Sequence, residues 1–202
     1  MLLRTILGLV NVICEIFAAI PWSLVPSTFI IFIGPISFPT RRLSGSFCIF
    51  SGSGIGRATA LLFAQHGAKI VVSDIKKDLL DETVEILKTT GTDVIPVESD
   101  ITNEDDVKNI IHSAISEFKA INILVNSAGV TPRYAPDDWS FEKKWDWVID
   151  VNLKGTVMMS KYVSEIMLSN GYGSILNLSS IIGLVGYAEG LSDGFNPYPH
   201  SK

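Results

Sequence analysis

Charge is scarce in this chain. Asp, Glu, Lys and Arg make up 18% of its 202 residues, and no basic block is longer than two. With a net charge of −5 there is no basic stripe for a phosphate backbone, so no nucleic-acid partner is expected. Cysteine is scarcer still. Cys14 and Cys48 match neither a metal-ligand spacing nor a disulfide framework, which points to a reducing, cytoplasmic compartment. His66, His112 and His200 are scattered over separate expected elements, so no metal site is expected. The absence of a Gly-x-x-x-x-Gly-Lys loop removes a nucleoside-triphosphatase reading. There is no internal repeat or low-complexity tract. What is present, 47% apolar residues in a chain of this length, fits one α/β domain with a sizeable core.

The scarcity is uneven. Arg4 and Glu15 are the only charges before residues 16–40, a stretch of 25 residues that has none. About 20 apolar residues can span a bilayer. Pro21, Pro26, Gly34 and Pro35 interrupt this run, however. Residues 1–42 are therefore read as a hydrophobic leading segment, either a membrane anchor or an aberrant leader with no designed role. As an anchor it would keep the rest of the chain on the cytosolic side, because Arg41 and Arg42 follow the run directly.

From Leu43 onward short apolar runs alternate with amphipathic segments. Strands are expected at 46–50, 69–73, 93–97, 121–125 and 174–178, and helices at 55–65, 78–89, up to 118, and over 141–169. Thr102 with Asp105 reads as the capping box that opens the third helix. This alternation is the mark of an α/β fold with a doubly wound parallel sheet.

Chemistry collects where strands end. Gly52, Ser53, Gly54, Ile55 and Gly56 form a turn between the first strand and its helix, where backbone N–H groups can face a pyrophosphate. Asp74 lies 20 residues past Gly54, at the end of the second strand. A carboxylate there accepts bonds from ribose hydroxyls and repels a 2′-phosphate, favouring NAD over NADP. Lys76 and Lys77 soften that preference. Near the end of the chain Tyr198 and Lys202 stand four apart, on one face of a helix. A lysine cation so placed lowers the phenol's pKa and makes it a usable general acid/base.

Residues 43–202 resemble the short-chain dehydrogenase/reductase family, on several motifs that match in order and spacing. Leu43-Ser44-Gly45 resembles its lead-in to the first strand, and Asp100-Ile101 the acidic–apolar pair that it places against adenine. Asn126-Ser127-Ala128-Gly129 is similar to its Asn-Asn-Ala-Gly turn. Asn152, Ser180, Tyr198 and Lys202 match its catalytic residues. The resemblance implies a Rossmann-like sheet, a bound NAD and hydride transfer between a small secondary alcohol and its carbonyl. It implies that Tyr198 exchanges the substrate proton, that Lys202 holds the nicotinamide ribose, that Ser180 holds the substrate oxygen and that Asn152 positions a relay water. The long helices around Asn152 imply a family-like homo-oligomer. Plainer readings stand beside these: Asn126 and Asn152 as partners of backbone groups, Ser180 and Asp74 as polar strand ends, Tyr198 as a surface aromatic, Lys202 as a solvated cation.

Three features depart from the family. Without gaps, Phe50 falls on the first glycine of the phosphate loop; with a two-residue deletion, Ser51-Gly52 takes that place and the loop is shortened. Ser180 and Tyr198 are 18 apart, wider than the family's usual spacing, which implies an extra surface loop over residues 189–197. The chain also stops at Lys202, so the sheet is expected to be incomplete at its C-terminal edge and the chain to be a fragment, inactive as it stands. The altered loop and the missing edge favour a second reading, a non-catalytic, membrane-tethered binding protein.

Overall fold

Successive side chains of a strand point to opposite faces, and this period sorts the core into two layers. In β2, Lys69–Asp74, Ile70 and Val72 enter one apolar cluster and Val71 enters the other. In β4, Ile123–Asn126, Ile123 and Val125 join the first cluster and Leu124 the second. A sheet buried on both faces needs helices on both. α1 (Gly54–Gln65) and α2 (Lys77–Lys88) cover one face through Ala60, Phe63, Ala64, Leu80 and Leu87. α3 (Glu104–Phe118) covers the other with Val107, Ile110, Ala114 and Phe118.

These features come from a computed structural model that describes residues 47–185 and 196–202. β1 (Phe47–Ser51), β3 (Val94–Glu98) and β5 (Ser174–Asn177) complete a five-stranded sheet of order β3-β2-β1-β4-β5, with every pairing parallel. The doubly wound sheet read from the sequence is therefore present, and each expected strand is found within two residues of its expected place. β3 and β5 are its edges. The order reverses between β1 and β4, and in such sheets the crevice at the carboxyl ends of those strands is the place where ligands bind.

Two local expectations are corrected. Thr102 does not cap α3. Asn103 does, its side chain accepting from the N–H of Asp105, while Thr102 donates its N–H and hydroxyl to Asp100 Oδ1, both at 2.8 Å. An Asx side chain one residue before the first helical position reaches the free N–H groups better than a residue further out. The helix over 141–169 is also not uniform. α4 (Phe141–Ile149) runs through a π-helical turn, Asp150–Gly155, into α5 (Thr156–Asn170). Gly155 is needed in that turn, since a β-carbon there would stand 2.7 Å from Ile101 Cδ1.

Two short helices finish the described chain, α6 (Ile182–Val185) and α7 (Pro197–His200). The leading segment 1–42, Leu43-Ser44-Gly45 and most of the expected loop over 189–197 lie outside the described residues. Among the described residues no helix is long and apolar enough to cross a membrane.

Candidate active site

The glycine turn resolves the choice between the two readings of the phosphate loop. Phe50 is inside β1, paired with Val72, so it cannot be a loop residue. Gly52 occupies the turn instead, its N–H donating to the Ser73 carbonyl at 3.0 Å. A β-carbon at Gly52 would stand 2.9 Å from Asp74 Cβ and 3.4 Å from Leu80 Cα. Only glycine lets the chain pass so close to the end of β2. Gly54 follows with φ +53°, a left-handed conformation that glycine adopts without strain, and opens α1. The N-terminus of a 12-residue helix thus faces the crevice behind Ser53, with no side-chain cap filling it.

Asp74 closes the other side of this turn. Its Oδ1 accepts from the N–H of Lys76 at 3.0 Å, and its Oδ2 lies 3.4 Å from Ser53 Oγ. Partly exposed at the tip of β2, it is placed as a hydroxyl-binding carboxylate would be. Between the ends of β2 and β4 lies a small open cleft lined by Ser73, Ile101, Asn126, Ser127 and Ala128 among others. Asp100 sits beside it, tethering the loop that presents Ile101. Asn126 ties the cleft to its surroundings, its amide donating to Asn177 Oδ1 at 2.8 Å and to Ser160 Oγ at 3.0 Å. A glycine-lined helix terminus, a partly exposed carboxylate at the strand end and a small cleft beyond it are residue types that fit a dinucleotide.

Beyond the cleft the chain builds a second cluster from three distant segments. Asn152, 3% exposed in the π turn, is a latch. Its Oδ1 accepts from the N–H of Val130 at 2.7 Å; its Nδ2 donates to the Val130 carbonyl and to Ser201 Oγ, both at 2.9 Å. One side chain therefore joins the turn after β4 to the end of the chain. Ser179 adds a second tie, its hydroxyl donating to the Lys202 carbonyl at 2.6 Å. Ser180, next along, is 1% exposed. Gly183 lets α6 and the terminal segment approach, since a β-carbon there would stand 2.8 Å from Lys202 C.

Held this way, Lys202 projects inward. Its Nζ lies 3.0 Å from where a β-carbon on Gly129 would be, so the last glycine of Asn126-Ser127-Ala128-Gly129 is the gap through which the amine reaches the site. Nζ is 5.7 Å from the centre of the Tyr198 ring and 3.5 Å from the Leu178 carbonyl. Burial pushes the Lys202 ammonium down to about 8. Lys202 is thus only partly exposed, with its amine turned toward Gly129. Tyr198 lies in the first turn of α7, whose cap Asn196 accepts its N–H at 2.9 Å.

Of the residues expected at the site, Gly52, Ser53 and Asp74 meet at the glycine turn, and Gly129, Asn152, Tyr198 and Lys202 meet around the Lys202 amine. Reading the sequence missed Val130, Ser201 and Ser179, which hold the catalytic cluster, and Arg57 and Thr83, which hold the glycine turn. No local pattern marks them; their partners lie at sequence separations of 22 or more. A Gly-x-Ser-x-Gly pattern, the nucleophile turn of many serine hydrolases, also occurs at residues 190–194, outside the described residues.

Comparison with known proteins agrees with this geometry. The family described as short chain dehydrogenase matches residues 48–201. The chain is 40% identical over 147 residues to a 3-oxoacyl-acyl-carrier-protein reductase of Thermotoga maritima, an alignment covering 72% of this chain and 59% of the relative. It is 34% identical over 154 residues to (+)-borneol dehydrogenase 2 of Salvia officinalis, covering 75% and 54%. Among solved structures it resembles NAD+-bound xylitol dehydrogenase, with TM-score 0.69, 28% identity and coverage of 80% of this chain and 61% of that one. The chain thus spans somewhat over half the length of the curated relatives it matches.

Proposed function

The chain belongs to the short chain dehydrogenase family, and from that premise we propose that it acts as an NAD-dependent oxidoreductase of a small secondary alcohol or its carbonyl. The observation that carries this reading is the Lys202 amine, buried, lying over Gly129 and beside the Tyr198 ring. From there the amine is placed to hold a ribose and to face a reacting oxygen near Tyr198.

When bound, a nicotinamide would supply or accept the hydride. The chain's own residues handle everything else. Tyr198 Oη takes the proton of the alcohol during oxidation and returns it to the carbonyl oxygen during reduction. The positive charge of Lys202 stabilises charge that develops on that phenol oxygen. Its amine is largely protonated at pH 7, with a pKa of about 8, so the charge is present at neutral pH. Ser180 holds the substrate oxygen. Asn152 commits both amide N–H groups to Val130 and Ser201, so a relay water would use the second lone pair of its Oδ1. Asp74 accepts the hydroxyls of the adenosine ribose, which supports NAD over NADP.

Against the non-catalytic reading, the turn at Gly52 supports the catalytic one: its N–H and carbonyl are both bonded and its α-carbon packs on Asp74. NADH titrated into the chain by fluorescence, with NADPH as comparator, tests the proposal. Saturable binding with NADH preferred is the expected result. A folded sample that binds neither would return the chain to the non-catalytic reading.

A further inference from the structure

Nothing in the dehydrogenase mechanism uses Arg57 or Thr83, yet both are spent on the glycine turn. Thr83, in the middle of α2, is fully buried, and its hydroxyl donates to the Gly52 carbonyl. The same hydroxyl accepts from Arg57 Nε at 2.6 Å. Arg57 stands one residue past Gly56, on the first turn of α1, and its Nη2 donates to Glu82 Oε2 at 2.8 Å and towards the Leu79 carbonyl at 3.4 Å. A cation therefore polarises a hydroxyl, and that hydroxyl grips the turn.

We propose that Arg57 and Thr83 are positioning residues for the dinucleotide: Thr83 on α2, backed by Arg57 on α1, clamps the shortened phosphate loop. This rests on the cofactor reading above. Gly52 is held on three sides. Its N–H is fixed on Ser73, its carbonyl on Thr83, and its α-carbon faces Asp74 with no room for a side chain. The peptide after Gly52 is planar, so a carbonyl fixed toward α2 aims the next N–H, that of Ser53, away from α2. A loop with fewer residues has fewer internal bonds to set its N–H directions. An outside donor sets them instead, and a charge-assisted hydrogen bond is the strong kind available for it.

The test compares the parent chain with Thr83→Val and Thr83→Ser, using amide hydrogen exchange by peptide together with NADH titration. Thr83→Val keeps the shape and removes the donor. Exchange over residues 52–56 should rise about tenfold, while β4 and α5 stay as protected as in the parent. NADH affinity should fall about tenfold, and Thr83→Ser should restore both. Arg57→Leu, at a partly exposed position, should give the same pattern at about threefold and serves if Thr83→Val does not fold. Unchanged exchange over 52–56 in a folded variant overturns the clamp. So does a rise spread equally over the sheet, which would make Thr83 only a core residue. If the parent chain binds no NADH, the cofactor reading fails, and the exchange data still decide whether the clamp exists.

Discussion

The two halves of the candidate site are built in different ways. The nucleotide half sits on β1, β2, β3 and the turns that follow them, where parallel pairing fixes the strand ends from which those turns start: Ser51 opposite Ser73, Asp74 opposite Glu98. The catalytic half has no such frame. Its residues come from the turn after β4, the π turn and the terminal segment, and side chains bonding to backbone join them: Asn152 to Val130, Ser179 to Lys202. A sheet spreads the cost of placing a residue over a whole ladder. A latch puts it on one or two buried polar side chains, so a single substitution can undo it.

The contrast can be broken most sharply at Tyr198. Tyr198→Phe removes one oxygen and leaves both halves assembled. Turnover should fall about a thousandfold, with NADH affinity nearly unchanged; steady-state kinetics beside a binding titration will show whether it does. Asn152→Ala attacks the latch itself and strands the Val130 N–H and carbonyl. A loss of about 2–4 kcal/mol in urea unfolding is expected, whereas exposed changes in the nucleotide half should cost far less. An Asn152→Ala chain as stable as the parent would mean that the cluster does not depend on its latch.

Lys202 sharpens the comparison through pH. Its folded pKa, about 8, lies below its ordinary value of 10.5, so the folded state binds the proton more weakly than the unfolded one. The resulting penalty is fully present below pH 8 and is relieved as pH rises from about 8 toward 10.5. Lys202→Met should therefore stabilise the chain at pH 7, by up to about 3 kcal/mol, and the gain should shrink through that window. Thermal melts of both chains at pH 7 and pH 10 would show it. A gain independent of pH would place its origin in packing instead. The smallest effect is expected at Asp74. Asp74→Ala should move the NADH/NADPH affinity ratio about tenfold toward NADPH while the turn at Gly52 persists. An unmoved ratio in paired titrations would remove Asp74 from cofactor choice.

How far the sequence could be read follows the same division. The strands and helices of the nucleotide half are short-range patterns, and Gly52, Gly54 and Asp74 stand where local rules place them. The choice between the two alignments of the phosphate loop could not be read, because it depends on whether Phe50 pairs with Val72 across the sheet. The π turn was invisible for a related reason: residues 141–169 read as helical, and the close approach of Gly155 to Ile101 joins positions far apart in the chain. Asn103 displaced Thr102 as the cap because both are capping residues and only the geometry of the chain entering α3 selects one.

By itself, the amino-acid sequence determined the alternation of strands and helices, the two-faced core and the identity of the chemical groups at the strand ends. Each of these depends on residue type and near neighbours, through side-chain period, turn conformation and charge. Tertiary structure alone decided that Asn152 is a latch, that Gly129 is a gap for Lys202 and that Thr83 grips Gly52. Those facts concern groups far apart in the chain, whose solvent and partners exist only once the sheet has brought them together.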